Sequence, residues 1–76
     1  MQPYKNLGGN SNVEAYKISY DSITVKFKSG KCQYYLYTYD SCGEEAVELM
    51  KQLAIAGQGL GSMLATKPYH KDATRW

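Results

Sequence analysis

Residues 23–28, Ile-Thr-Val-Lys-Phe-Lys, alternate strictly between apolar and polar side chains. A period of two is the mark of a β-strand with one buried face. Ser29-Gly30 follows it, and glycine adopts positive φ at little cost, so a tight turn is expected there. Residues 31–39 then read as a second strand, which holds Tyr34, Tyr35, Tyr37 and Tyr39. Upstream, residues 13–20 alternate well enough for a third strand, with Asp21-Ser22 as its two-residue turn.

Two short turns fix a pairing, and residues opposite one another share a face. Across Ser29-Gly30, Phe27 is expected to face Cys32, Val25 to face Tyr34 and Ile23 to face Leu36. Across Asp21-Ser22, Tyr20 faces Ile23, Ile18 faces Val25 and Tyr16 faces Phe27. The buried face would then hold Tyr16, Ile18, Tyr20, Ile23, Val25, Phe27, Cys32, Tyr34 and Leu36. The outer face would hold Lys17, Ser19, Thr24, Lys26, Lys28, Lys31, Gln33, Tyr35 and Tyr37.

The apolar face needs a cover, and residues 44–56 supply one. Ser41-Cys42-Gly43-Glu44 has the form of a capping box. Glu44 and Glu45 fall in the first turn, where the helix dipole favours negative charge. Ala46, Leu49, Met50, Leu53 and Ala56 follow at helical spacing, with Val47 and Ala54 widening the stripe. Gly57 ends the helix. Leu60, Met63 and Leu64 suggest one more helical turn capped by Ser62 and stopped by Pro68.

These readings predict an α+β domain: a three-stranded antiparallel β-meander, one main α-helix packed on one face, and a short C-terminal helical turn. Seventy-six residues allow one domain. Residues 13–66 form it. Residues 1–12, polar and rich in Gly and Asn, are expected to be a flexible lead-in, and residues 67–76 a mobile tail unless Tyr69 or Trp76 docks.

Chemistry-bearing groups are sparse. Cys32 and Cys42 are the two cysteines, and His70 is the one histidine. A zinc site needs more ligands than these at close spacing, and two thiols are expected to stay reduced rather than form a bridge. His70 has no acid or cysteine at catalytic spacing, and Glu44, Glu45 and Glu48 read as a solvated helix face. Gly57-Gln58-Gly59-Leu60-Gly61-Ser62 follows a helix, whereas a dinucleotide or phosphate loop follows a strand. No enzyme, metal or cofactor is therefore expected. No run approaches the length of a membrane span, and the N-terminal residues have no apolar segment of a signal peptide, so the expected location is the cytoplasm.

Charge is uneven along the chain. Lys17, Lys26, Lys28 and Lys31 make the strands basic, while Asp40, Glu44, Glu45 and Glu48 make the helix acidic. Lysines beside tyrosines on an open sheet suit phosphates and stacked bases. They equally suit a protein partner, or simply a solvated face that resists edge pairing.

Ser11-Asn12-Val13, Tyr20-Asp21, the Ile23, Val25, Phe27 pattern with Gly30, the Y-x-Y of Tyr35 and Tyr37, and Ala56 to Ser62 occur in an order that resembles the KTSC domain. That is a small module named for the C-terminal region of some lysyl-tRNA synthetases. The resemblance spans residues 11–64 and implies an RNA link without catalytic residues. The expected function is a small non-catalytic binding module for RNA or another anionic partner. Lys17, Lys26, Lys28 and Lys31 would contact phosphates, with Tyr35 and Tyr37 stacking. The alternative is a protein-interaction module or homodimer using the same face or an edge strand.

Overall fold

The structure is a computed structural model that describes residues 1–9, 11–66, 69–71 and 73–76. Pro68 and the side chain of His70, both read above, lie outside the described residues. The elements are β1 (Gln2–Pro3), β2 (Val13–Ser19), β3 (Ser22–Phe27), β4 (Tyr34–Thr38), α1 (Tyr39–Cys42), α2 (Glu44–Ala56), α3 (Leu60–Thr66), a 3-10 turn (Tyr69–Lys71) and β5 (Thr74–Arg75). They build an α+β fold with an antiparallel sheet in the order β1-β2-β3-β4-β5 and α2 packed on one face. The three-stranded meander is thus corrected to five strands and three α-helices among the described residues. The two extra strands are short edge pairs, Gln2 with Tyr16 and Leu36 with Thr74 among them, too brief to leave a periodic pattern.

The β2–β3 turn is one step earlier than expected. Ser19 pairs with Ser22 and Ile18 with Ile23, so Tyr20-Asp21 form the turn. The register moves by two residues, which keeps Tyr16 and Ile18 on the face of Val25 and Ile23, although Ile18 is exposed, and a bulge between Val13 and Ala15 turns Val13 into the core. Tyr20 leaves the sheet and is 90 % exposed, not a core residue.

The β3–β4 connection departs more seriously. It is not a two-residue Ser-Gly turn. The amide of Phe27 donates to the carbonyl of Gln33 at 2.7 Å, so residues 28–32 form a wider loop. Lys28 donates its amide to the Asn12 carbonyl at 2.7 Å, and Gln33 Nε2 donates to the Lys28 carbonyl at 3.2 Å, which hold that loop open. Val25 consequently pairs with Tyr35 and Ile23 with Tyr37. A shift of one residue turns β4 over: Tyr35 and Tyr37 join the core face, and Tyr34 and Leu36 face outward.

Helix α2 matches its expected limits, and Gly57 closes it in the left-handed region at φ 79°. Its start is different. The capping box forms between Thr38 and Ser41 and opens α1, while Gly43 caps α2 through its backbone alone. The buried stripe is Val47, Met50, Lys51 and Ala54, with Leu49 exposed. The core joins Val13, Ile23, Val25 and Tyr37 of the sheet to Val47, Met50 and Ala54, with Leu60 and Leu64 of α3 closing one end. Fully burying each larger aliphatic side chain contributes about 1.5–3 kcal/mol. Tyr4 of the lead-in joins this core, its hydroxyl accepting from the Leu60 amide at 3.3 Å.

Candidate functional site

Two surfaces carry chemistry. The first is the sheet face opposite α2. Lys17 pairs with Thr24, and Lys26 pairs with Ala15 on one side and Tyr34 on the other. No two lysines oppose each other across these strands, whereas the expected β2–β3 register would have set Lys17 opposite Lys26. Tyr34 and Trp76 exchange backbone hydrogen bonds of 3.1 and 3.0 Å, and their rings stack at 5.6 Å with planes 9° apart. Lys26 Nζ lies 5.8 Å from the centre of the Tyr34 ring. A row of Lys26 on β3, Tyr34 on β4 and Trp76 just beyond β5 thus forms on this face. Lys26 also meets Glu14 Oε2 at 2.7 Å, and the hydrogen bond to that carboxylate raises the lysine's pKa above 10.5. Trp76 is 55 % exposed.

The second surface is a cleft of 990 Å³ at the α2–α3 end of the molecule. Its walls are the 28–32 loop, Asn6, Gly8, Ser11 and Asn12 of the lead-in, the turn between α2 and α3, and the core-side edge of β4 and β5. Phe27 meets Tyr35 edge-on at 5.2 Å, and Tyr35 stacks on Tyr37 at 6.2 Å, giving one wall an aromatic surface. Burial pushes the Tyr37 phenol well above a tyrosine's usual 10, with further upward contributions from Tyr35 and Cys42, so it stays protonated at neutral pH. The opposite wall is tight: a Cβ on Gly61 would come within 2.8 Å of Ser11 Oγ. Lys31 and Arg75 line the cleft, and no Asp or Glu does among the described residues.

The six residues singled out in the sequence are therefore divided. Lys17 and Lys26 lie on the open face, as expected. Lys28 and Lys31 lie on the loop at the end of β3, and Lys31 belongs to the cleft. Tyr35 and Tyr37 are on the helix-covered face, and Tyr37, at 1 % exposure, has no room for a stacked base. Tyr34, Trp76, Arg75 and Tyr4 were not singled out. Trp76 carried one signal, being the sole tryptophan in a segment otherwise read as loose.

Cys32 and Cys42 are free thiols, Cys32 in the cleft wall and Cys42 with its Sγ 3.9 Å from the Tyr69 carbonyl. Among the described residues no three His, Cys, Asp or Glu side chains are grouped to hold a metal, and no helix is long and apolar enough to cross a membrane.

No family model matches the chain, and neither a curated protein nor a solved structure matches it. The resemblance to the KTSC domain rests on the residues alone. Several of those residues, distant in sequence, meet in space: Asn12, Gly30, Tyr35 and Gly59 all line the cleft.

Proposed function

We propose that this chain is a small non-catalytic module that binds single-stranded RNA on the open face of its sheet. The stacked Tyr34–Trp76 pair beside Lys26 carries this reading. Single-stranded RNA is held by aromatic rings on open sheets and by nearby cations on its phosphates. Trp76 offers the ring face, Tyr34 stiffens it from behind, and Lys17 and Lys26 supply the cations. These roles replace the expected stacking by Tyr35 and Tyr37.

Trp76 is the chain's one tryptophan, so its fluorescence reports on this face directly. Titration with short oligouridylate should quench it saturably, with affinity falling log-linearly as salt rises. Unchanged fluorescence at low salt, with no binding by a second method, defeats the proposal.

A protein partner has one observation in its favour. Met1, Ile18 and Ile55 line a shallow groove beside the β1–β2 edge, and all three are exposed. Mass measurement across concentration tests a homodimer there, and a monomer throughout counts against it.

A further inference from the structure

We infer that the cleft is a second, separate binding site, one that takes a nucleoside monophosphate. Its volume of 990 Å³ is at the upper end of the range typical of small-ligand sites, about 300–1,000 Å³. The argument rests on what faces it. Phe27 and Tyr35, both half-buried, line the core-side wall and give it an aromatic surface for a planar base. Aromatic faces hold bases regardless of identity, because every base has a π-face.

The charge points the same way. Lys31 arrives from the 28–32 loop and Arg75 from β5, so two cations from distant segments border one space. Lys26 and Lys51 each have a carboxylate partner, whereas neither Lys31 nor Arg75 is in an ion pair among the described residues. With no acidic side chain among the described residues of the lining, a phosphate entering there meets attraction from both and repulsion from none. An Arg guanidinium binds phosphate through paired N–H donors, and a Lys ammonium adds a point charge. Arg75 pairs with Tyr35 across β4 and β5, which places a phosphate contact next to a base contact. That adjacency matches a molecule with a ring at one end and a phosphate at the other. Gln58 and Asn12, also in the lining, carry amide groups suited to a base edge.

The site is independent of the open sheet face, because β4 lies between them: Tyr34 and Leu36 point one way, Tyr35 and Tyr37 the other. The test is an amide chemical-shift titration of the whole chain with adenosine and uridine monophosphates, with adenosine and inorganic phosphate as separate arms. Either monophosphate should shift the amides of Ser29 to Cys32, Gly59 and Gly61 saturably. Adenosine should bind at least about tenfold more weakly than its monophosphate, since it lacks the charge-assisted contacts. The double substitution Lys31→Ala and Arg75→Ala, at two exposed positions, should weaken the monophosphate about tenfold while the rest of the spectrum is retained. No saturable shift at the cleft amides with either monophosphate overturns the inference. So does equal affinity for adenosine, or shifts confined to Thr24, Lys26 and Trp76. An oligonucleotide that moves only those open-face amides would leave the RNA reading standing while this one fell.

Discussion

Lys51, on helix α2, donates from Nζ to the carbonyl of Tyr20 at 2.8 Å, joining the helix to the β2–β3 turn. The same ammonium meets Glu48 Oε2 at 2.8 Å and lies 5.4 Å from the centre of the Tyr39 ring. It is 9 % exposed, so its charge needs these partners. Lys51→Met keeps most of the apolar stem and removes the bond to Tyr20 and the ion pair. The expected loss is about 1–3 kcal/mol by urea unfolding. No change in the midpoint would mean that the ammonium contributes nothing net.

Glu48 couples that clamp to pH. Hydrogen bonds from Lys51 and then from the Tyr39 hydroxyl, the latter 2.6 Å long, hold its pKa below a glutamate's usual 4.5. A folded-state pKa below the unfolded one stabilises the fold above the unfolded value, and that contribution is lost as pH falls below 4.5. Tyr39 is the opposite case. The hydrogen bond to Glu48, and then burial, push its phenol from 10 up to about 12. Its contribution is complete below pH 10 and disappears between there and about 12. Melting temperature followed across pH should therefore fall at both ends, and Tyr39→Phe should show a gap to the wild type that narrows at both. Parallel curves would refute the coupling.

Gly57 ends α2 with φ 79°, and a Cβ there would lie 2.6 Å from the Cβ of Lys5. The amide of Leu7 donates to its carbonyl at 2.8 Å, so this glycine also anchors the lead-in. Gly57→Ala combines left-handed strain with a contact that no side-chain rotation relieves. The expected cost is about 1–3 kcal/mol in denaturant unfolding, and a neutral result would mean that the chain relaxes both the left-handed conformation and the contact with Lys5.

Tyr34 and Tyr37 should behave oppositely. Tyr37→Ala empties a fully buried site and should cost about 3–5 kcal/mol, enough to abolish cooperative unfolding in a domain this small. Tyr34→Ala removes a half-buried ring from the open face and should leave unfolding cooperative. The reverse ranking would restore the register that a two-residue turn requires.

That register is where sequence and structure part. Helix α2 and its Gly57 stop were legible because spacing and capping glycine agree over thirteen residues. Strand β3 was legible because only one of its faces is apolar. In β4 both parities are apolar or aromatic, Tyr34 and Leu36 against Tyr35 and Tyr37, so the pattern cannot choose. The choice fell to the turn, and Asn12 decides it by accepting the Lys28 amide from sixteen residues of sequence away. The same error exchanged the tyrosines of the candidate site. The burial of Lys51 left no trace in the sequence, because nothing local announces the Tyr20 carbonyl that it meets. Tyr4 and Trp76 dock through single residues, which leave no period to read.

On the face proposed to bind RNA, Glu14 would compete with a phosphate for Lys26. The carboxylate is 2.7 Å from the ammonium that would meet a phosphate. Both side chains are partly exposed, and such a pair contributes about 0.2–1 kcal/mol. An RNA phosphate must displace Glu14 or share Lys26 with it, and Glu14 also repels the strand. Glu14→Gln removes the competitor and leaves the strand backbone unchanged. Affinity for oligouridylate should rise about two- to fivefold at low salt, following directly from the strength of an exposed pair. Lys26→Ala should lower affinity and reduce the steepness of the salt dependence by about one counterion. Quenching of Trp76 fluorescence measures both variants on the face concerned. Unchanged affinity in Glu14→Gln together with loss in Lys26→Ala would place the phosphate where Glu14 does not reach, and no effect of either would remove Lys26 from the interface.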